Sequence, residues 1–230
     1  MCCAVAVLAA ASWLARDVRA VSNRGAFVVL GSSSVNGSFG RLIVSDFKRL
    51  GYRVSRHGFP SAGLSRPDFL DLRQVLDRLP LDGGTAGVLL YVGGNDAQSL
   101  WSDASGRGTW IRWQDARWSS TYEARASDLI RSLCERHVQH VIVLAPADVV
   151  RARLQARLDR IRPALRRAAH ATSCGHFVST AGDAGRFEVG GVSLRTGDGI
   201  HMTPAGAKRV WKRVRERVLG YMTDSVAQLN

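Results

Sequence analysis

The sequence predicts an α/β protein of three layers, in which helices cover both faces of a mostly parallel β-sheet. Five short apolar, β-rich runs alternate with segments of helical periodicity along the 230 residues. The run at residues 87–92 is almost continuously apolar, as is typical of a central parallel strand. No internal repeat or low-complexity linker interrupts the alternation, so we expect one sheet in one domain.

Glycine and proline residues indicate where these elements end or bend. Gly51, for example, follows a run with apolar residues at helical spacing and is predicted to end that helix. Strands are predicted at 26–30, 52–56, 87–92, 140–144 and 175–179. Helices are predicted at about 37–50, 67–79, 122–137 and 149–171, with an irregular section at about 99–120. Pro163 is predicted to kink or divide the last of these helices.

Composition and charge limit the classes of partner that the protein is expected to bind. With 46% hydrophobic and 22% charged residues, the chain can bury a substantial core. Its net charge of +13 comes from 29 Arg and 3 Lys against 19 acidic residues. Such a charge favours an anionic partner: nucleic acid, a membrane surface or an acidic cell-envelope polymer. Nucleic acid is not expected, because no recognition helix or aromatic-basic interleaving accompanies the charge.

The N-terminal segment is assigned separately. Residues from Cys2 to Ala15 are almost wholly apolar but too short for a membrane span. Val18-Arg19-Ala20 offers a small-residue cleavage site, although no positively charged region precedes the apolar run. We interpret residues 1–21 as a signal-like segment or the stub of a membrane anchor, and 22–230 as a single domain. A buried helix of the mature fold is the alternative; export to the periplasm or cell exterior is favoured.

The four cysteines suggest neither a metal site nor a disulfide framework. They show no metal-ligand spacing, and two of them, Cys2 and Cys3, lie in the N-terminal segment. Cys134 falls on a predicted helix and Cys174 near a predicted strand. We therefore expect these last two to be small buried residues.

A possible nucleophilic site is divided between the two ends of the domain. Near the C-terminus Asp198 precedes His201 by three residues, ahead of a helix for which Thr203 and Pro204 are suitable first residues. Near the N-terminus the first strand stops at Gly31 and is followed by Ser32-Ser33-Ser34. A strand that turns into a helix brings such hydroxyls to the carboxyl edge of the sheet, where sites gather in open α/β folds.

Four ordered blocks resemble those of the SGNH, or GDSL-type, hydrolases. Each block follows a predicted strand, and together they extend over nearly the whole domain, from about Phe27 to Gly206. The blocks are Gly31-Ser32-Ser33, Gly63, Gly93-Gly94-Asn95-Asp96 and Asp198-Gly199-Ile200-His201. Residues 58–68 and the region of Trp118, Tyr122 and Arg125 also resemble a bacterial exported branch of this family.

The resemblance implies a flavodoxin-like sheet of order 2-1-3-4-5 and esterase chemistry without a metal or cofactor. It assigns Ser33 as the nucleophile and Asp198 and His201 as the other members of a catalytic triad. The backbone N–H groups of Ser33 and Gly63 and the side chain of Asn95 would form the oxyanion hole. Ser32 stands where the family usually has Asp, which leaves open which of Ser32, Ser33 and Ser34 attacks; Ser33 is chosen because it is two after Gly31.

Other residues have two interpretations each. Trp110, Trp113 and Trp118, together with Trp101, are either a sugar-stacking platform or a small satellite core under a long loop. Asp96 is expected to be a structural hydrogen-bonding group at the end of a strand.

We expect the protein to be a serine ester hydrolase that removes acyl groups, such as O-acetyl, from a cell-envelope glycan or another ester. An acyltransferase, or a weakened domain that only binds a glycan or partner, remains the alternative.

Overall fold

The computed structural model describes residues 24–103, 106–182 and 188–227. The strands in these residues are β1 (Ala26–Gly31), β2 (Arg53–Gly58), β3 (Thr85–Tyr91), β4 (Leu100–Ser102), β5 (Thr109–Ile111), β6 (His140–Leu144), β7 (Gly175–Val178), β8 (Glu188–Val189) and β9 (Val192–Ser193). The helices are α1 (Ser33–Asn36), α2 (Ser38–Arg49), α3 (Leu72–Leu76), α4 (Trp118–Glu135), α5 (Ala152–His170) and α6 (Pro204–Ala227).

The central sheet has five parallel strands in the order β2-β1-β3-β6-β7. This is the predicted order, since β6 and β7 are the fourth and fifth strands of this sheet along the chain. Every residue of β3 is buried, as its continuous apolar sequence predicts. Two antiparallel pairs, β4 with β5 and β8 with β9, lie outside this sheet.

Each face of the sheet is covered by its own set of helices, so the three-layer prediction is confirmed. Along β1, Val28 and Leu30 contact the core under α3, α4 and α5, whereas Phe27 and Val29 contact the core under α2 and α6. The side chains of a strand alternate between the two faces, and β1 is apolar on both because both are covered.

Several predicted element bounds need correction. The helix expected at 67–79 is reduced to α3, because residues 66–70 form turns and the Asp71 side chain caps α3 by accepting from Arg73 N. The section at 99–120 contains the β4–β5 hairpin, and α4 begins at Trp118, four residues earlier than predicted. Pro163 does not divide α5, which continues from Ala152 to His170.

A buried carboxylate ties α2 to α6. Asp46 of α2 accepts a hydrogen bond from Trp211 Nε1 at 3.0 Å and pairs with Arg215 Nε at 2.6 Å. Burial acts to raise the pKa of Asp46, but the bonds from Arg215 and Trp211 outweigh it and lower that pKa. Asp46 is therefore ionised at neutral pH and holds together the two helices that cover this face.

Cys134 and Cys174 form a disulfide, so the expectation of two separate buried thiols was wrong. Their Cα atoms are 5.8 Å apart, at a separation of 40 residues in the chain. The parallel pairing of β6 with β7 brings Cys174 close, since Val141 N donates to Cys174 O at 2.7 Å. Cys134 reaches it from the last turn of α4.

The predictions for the N-terminal segment, residues 1–21, fall outside the described residues. Among the helices that the structure describes, none is both long enough and apolar enough to cross a membrane. The assignment of 22–230 as a single domain stays a prediction.

Candidate active site

Ser33 lies at the turn where β1 passes into α1. Ser32 N donates to Tyr91 O of β3 at 3.2 Å, and Phe59 N donates to Gly31 O at 2.8 Å. A Cβ atom at position 31 would lie 2.2 Å from Tyr91 O, so only glycine allows β1 and β3 this approach. The strand therefore ends in close contact with its neighbours, and the first helical residue after it is Ser33.

Two arginines fix the short helix that carries Ser33. Arg56 of β2 donates to Val35 O at 3.2 Å and to Asn36 O at 2.9 Å, and Arg41 donates to Asn36 O at 3.1 Å. These bonds satisfy carbonyl groups that a helix of one turn leaves without internal partners. The backbone at Ser33 is thus held from β2 and from α2.

The loop before α6 forms a tight turn around Asp198. Gly199 adopts φ +69°, and its N–H donates to Thr196 O at 2.8 Å. Asp198 Oδ1 accepts from Ile200 N at 2.7 Å and from His201 N at 3.0 Å. The expected cap of α6 is confirmed, because Thr203 Oγ1 accepts from Gly206 N at 3.1 Å. Asp198 and His201 therefore sit on a short segment fixed at both ends.

The two ends of the domain meet in a hydrogen-bonded relay. Ser33 Oγ lies 3.0 Å from His201 Nε2, and His201 Nδ1 lies 2.6 Å from Asp198 Oδ2. These are hydrogen-bond distances, and the serine and the histidine are 168 positions apart in the chain. Of the three adjacent serines, Ser33 makes this contact, whereas Ser32 is buried at the N-cap of α1.

The environment of Asp198 keeps its carboxylate ionised. Burial acts to raise the pKa of Asp198, but hydrogen bonds from the His201 ring, the Ile200 and His201 N–H groups and the Thr196 hydroxyl lower it well below its ordinary value. An ionised carboxylate can only accept, so the hydrogen of the ring must be on Nδ1. The lone pair of Nε2 then faces the Ser33 hydroxyl.

Gly63 and Asn95, the predicted oxyanion donors, are held together on the loops that follow β2 and β3. Asn95 Nδ2 donates one hydrogen to Ala62 O at 2.9 Å, which leaves its second N–H free to donate elsewhere. A Cβ atom at position 63 would lie 2.2 Å from Asp96 Oδ1. Only glycine therefore fits at position 63, because a larger side chain would collide with Asp96 in the helical turn Gly94–Asp96 that follows β3.

The sequence matches the family model described as DUF459, protein of unknown function, over residues 26–217. The chain belongs to this family. Comparison of its sequence with curated proteins finds no match.

Solved structures with this fold include several hydrolases. LAE5, an alpha/beta hydrolase enzyme from the metagenome of Lake Arreo, is 17% identical, with 90% of this chain and 97% of that chain covered and a TM-score of 0.57. A putative platelet activating factor from Streptococcus pneumonia is 16% identical, with 94% and 99% covered and a TM-score of 0.60. Axe2, an acetylxylan esterase from Geobacillus stearothermophilus, is 17% identical, with 84% and 94% covered and a TM-score of 0.56. These likenesses confirm the predicted fold.

Asp96 supports the Gly63 loop of this DUF459 protein, in agreement with the structural role expected of it. Asp96 is fully buried; its Oδ1 accepts from Ser65 N at 2.8 Å and its Oδ2 from Tyr122 OH at 2.9 Å. Burial raises the pKa of Asp96, and these bonds offset only part of that effect. Arg125 adds a bond to Leu64 O at 2.9 Å.

No local sequence pattern indicates these contacts. Tyr122 and Arg125 stand out in the sequence only through the family resemblance, because their partners Asp96 and Leu64 lie 26 and 61 positions away.

The tryptophans divide between core and surface. Trp118 is completely buried, stacks on Tyr122 at 5.1 Å between ring centroids and donates to Gln98 O at 2.7 Å. Of the two interpretations of Trp118, the structure favours packing in the core over stacking on a substrate. Trp113 is partly buried, with the guanidinium groups of Arg157 and Arg160 at 5.0 and 4.9 Å from its ring.

Trp110 is the member of the predicted platform that the β4–β5 hairpin exposes. Its relative exposure is 37%, and its ring meets Trp101 edge-on at 5.1 Å. The hairpin is joined to the Gly63 loop, since Trp101 N donates to Ser65 O at 2.8 Å. A role of Trp110 in substrate binding stays a prediction.

Proposed function

We propose that this protein is a serine ester hydrolase that removes a short acyl group, such as acetyl, from a glycan. The observation that carries the proposal is the continuous relay from Ser33 Oγ through the His201 ring to Asp198, at 3.0 and 2.6 Å. Neither a capping nor a packing role requires a hydroxyl, an imidazole and a carboxylate in this order.

In the first half of the reaction Ser33 is acylated. As Ser33 Oγ attacks the ester carbonyl carbon, His201 Nε2 takes the hydroxyl proton, and Asp198 stabilises the imidazolium that forms. The negative oxygen of the tetrahedral intermediate accepts from the N–H groups of Ser33 and Gly63 and from the Asn95 amide. A donor of this kind is worth roughly 10²–10³ in rate. The intermediate collapses, the C–O bond to the alcohol breaks, and the imidazolium gives its proton to the departing alkoxide.

In the second half water releases the acid. His201 removes a proton from water as the water oxygen attacks the acyl carbon, and it returns that proton to Ser33 when the acyl–oxygen bond breaks. A sugar hydroxyl in place of water would give acyl transfer with the same residues.

The space beside the relay favours a short acyl group. A cavity of about 30 Å³ adjoins Ser33 and His201, and Gly37, Phe39 and Met202 complete its apolar side. This room suits a group about the size of one water or methyl group. Axe2, which has the same fold, is described as an acetylxylan esterase, and variants of Axe2 with alanine in place of one serine or one histidine are described as catalytic mutants.

An exported location is part of the proposal. The disulfide between Cys134 and Cys174 supports it, because such bonds persist in the periplasm and outside the cell and are rare in the cytosol. The apolar N-terminal sequence agrees with this location. Free-thiol labelling of protein from intact cells, with and without reductant, would test it; fully labelled thiols before reduction would contradict export.

The experiment for the activity combines labelling with turnover. A serine-reactive fluorophosphonate is expected to modify Ser33, identified by mass spectrometry, and short acyl esters are expected to be hydrolysed. Ser33→Ala should abolish both, whereas the control Ser45→Ala, which removes an exposed hydroxyl of α2, should change neither. Labelling of another serine, or turnover that survives Ser33→Ala, would contradict the proposal. Recovery of the acyl group on an added oligosaccharide would identify an acyltransferase.

A further inference from the structure

A second cavity lies between the start of α5 and the loops that carry His201 and Asn95. Its volume is about 310 Å³. Two of its lining residues are close to the candidate site along the chain, because Ile200 immediately precedes His201 and Ala97 is two residues after Asn95. We call it the arginine cavity, after the residues that line it: Ala97, Arg151, Arg153, Leu154, Arg157 and Ile200.

None of the three arginines in this cavity forms an ion pair with a carboxylate in the described part of the chain. Arg151 Nε donates to the backbone oxygen of Asp198 at 2.8 Å, and Arg157 Nη1 donates to Ala97 O at 2.5 Å. These bonds to neutral carbonyls orient the side chains, and Arg157 also lies 5.0 Å from the Trp113 ring, but neither guanidinium has a carboxylate partner among the described residues. Arg153 is exposed and forms no hydrogen bond or ion pair with another described residue. The first turn of α5 contains no acidic residue.

On the basis of the proposed function, we infer that the arginine cavity binds an oxyanion on the alcohol part of the ester, a sugar carboxylate or phosphate. Guanidinium groups bind both of these oxyanions through paired hydrogen bonds. We place the alcohol part here because His201 must protonate the departing alkoxide, and the cavity is lined by Ile200, the residue that precedes His201. The small cavity that adjoins Ser33 and His201 is separate in its lining residues, and its volume of about 30 Å³ suits a short acyl group. The preferred substrate is therefore an acylated acidic glycan.

The test compares three acetylated sugars of similar size: an oligogalacturonate, a sugar phosphate and a neutral cello-oligosaccharide. Acetate release gives kcat/KM for each, and calorimetry with the Ser33→Ala variant gives Kd without turnover. We expect the wild type to prefer at least one anionic sugar by about tenfold or more, as a charge-assisted hydrogen bond in a partly exposed site would give. The larger preference identifies carboxylate or phosphate as the anion.

The preference should disappear in the double variant Arg153→Gln/Arg157→Gln. The matched control is the double variant Lys212→Gln/Arg217→Gln, which removes two charges from exposed positions of α6 and should leave the ratio between anionic and neutral sugars unchanged. Equal kcat/KM and equal Kd for anionic and neutral sugars would overturn the inference while the esterase proposal stands. A preference lost equally in the control variant would also overturn it, because net charge alone would then explain it.

The esterase proposal and the inference about the arginine cavity can be refuted independently of each other. If none of the three sugars is hydrolysed, the esterase proposal fails for these substrates, and the Kd values decide the arginine cavity. Tighter binding of an anionic sugar that requires Arg153 and Arg157 would still support the inference, whereas an absence of such binding would overturn it.

Discussion

Replacement of Asp198 by Asn tests the relay at the residue whose contacts are most completely defined. The two backbone bonds to Oδ1, from Ile200 and His201 at 2.7 and 3.0 Å, can be kept by the amide oxygen of Asn. At the Oδ2 position, 2.6 Å from His201 Nδ1, the amide nitrogen must donate. The ring hydrogen then moves to Nε2, which can no longer accept the proton of Ser33.

The size of the effect on kcat/KM depends on how far the Asp198–His201 pair is exposed to solvent. In a buried triad the same change costs about 10⁴ in rate. Here the Asp198 and His201 side chains are 39% and 47% exposed, so water can partly support the other tautomer. We therefore expect kcat/KM to fall by about 10²–10³, or ~3–4 kcal/mol of barrier.

The assay is hydrolysis of a short chromogenic ester between pH 6 and 9, with thermal unfolding measured on the same samples. Asp128→Asn is the matched control, because Asp128 is half-exposed on α4 and pairs with Arg131, one turn along the same helix. A folded Asp198→Asn variant whose kcat/KM stays within threefold of the wild type would refute the role of the carboxylate.

Three further predictions concern stability. Tyr122→Phe removes a donor from the buried Asp96 carboxylate and should lower the free energy of unfolding in urea by about 1–3 kcal/mol; an unchanged value would contradict the supporting role of this bond. Reduction of the disulfide, which links positions 40 apart, should lower the same quantity by about 4 kcal/mol on the chain-entropy model, and an unchanged Tm under reductant would disprove it. Arg215 helps hold the pKa of Asp46 below its ordinary value. The contribution of Asp46 to the free energy of unfolding should therefore be present above that ordinary pKa and be lost as the pH falls through the lowered pKa. Asp46→Asn should flatten this part of the acid-unfolding curve.

The sheet was predictable because local sequence determines its strands, and the relay was predictable because a family resemblance connects its distant parts. Apolar runs that end in glycine predict buried strands and the edge where they stop, so Ser33, Asp198 and His201 could be expected on one rim. The resemblance of the four blocks then indicated that these three residues belong to one site. The structure shows their contacts, at 3.0 Å between Ser33 and His201 and 2.6 Å between His201 and Asp198.

What could not be predicted depends on contacts between distant side chains. The Cys134–Cys174 bond links residues without any diagnostic spacing, and the bond from Tyr122 to Asp96 exists only once α4 has packed on the sheet. The same packing decides the place of Trp118, since nothing in its sequence neighbourhood separates a ring stacked on Tyr122 from one that faces solvent.

The two faces of the sheet supply different parts of the candidate site. The helices that follow Ser33 and His201 pack together on one face, where Asp46 joins them. The Gly63 loop is supported from the opposite face by Tyr122 of α4. In the proposed mechanism, proton transfer and charge stabilisation therefore depend on separate hydrophobic cores, and a destabilising substitution in one core is expected to affect mainly one of the two steps.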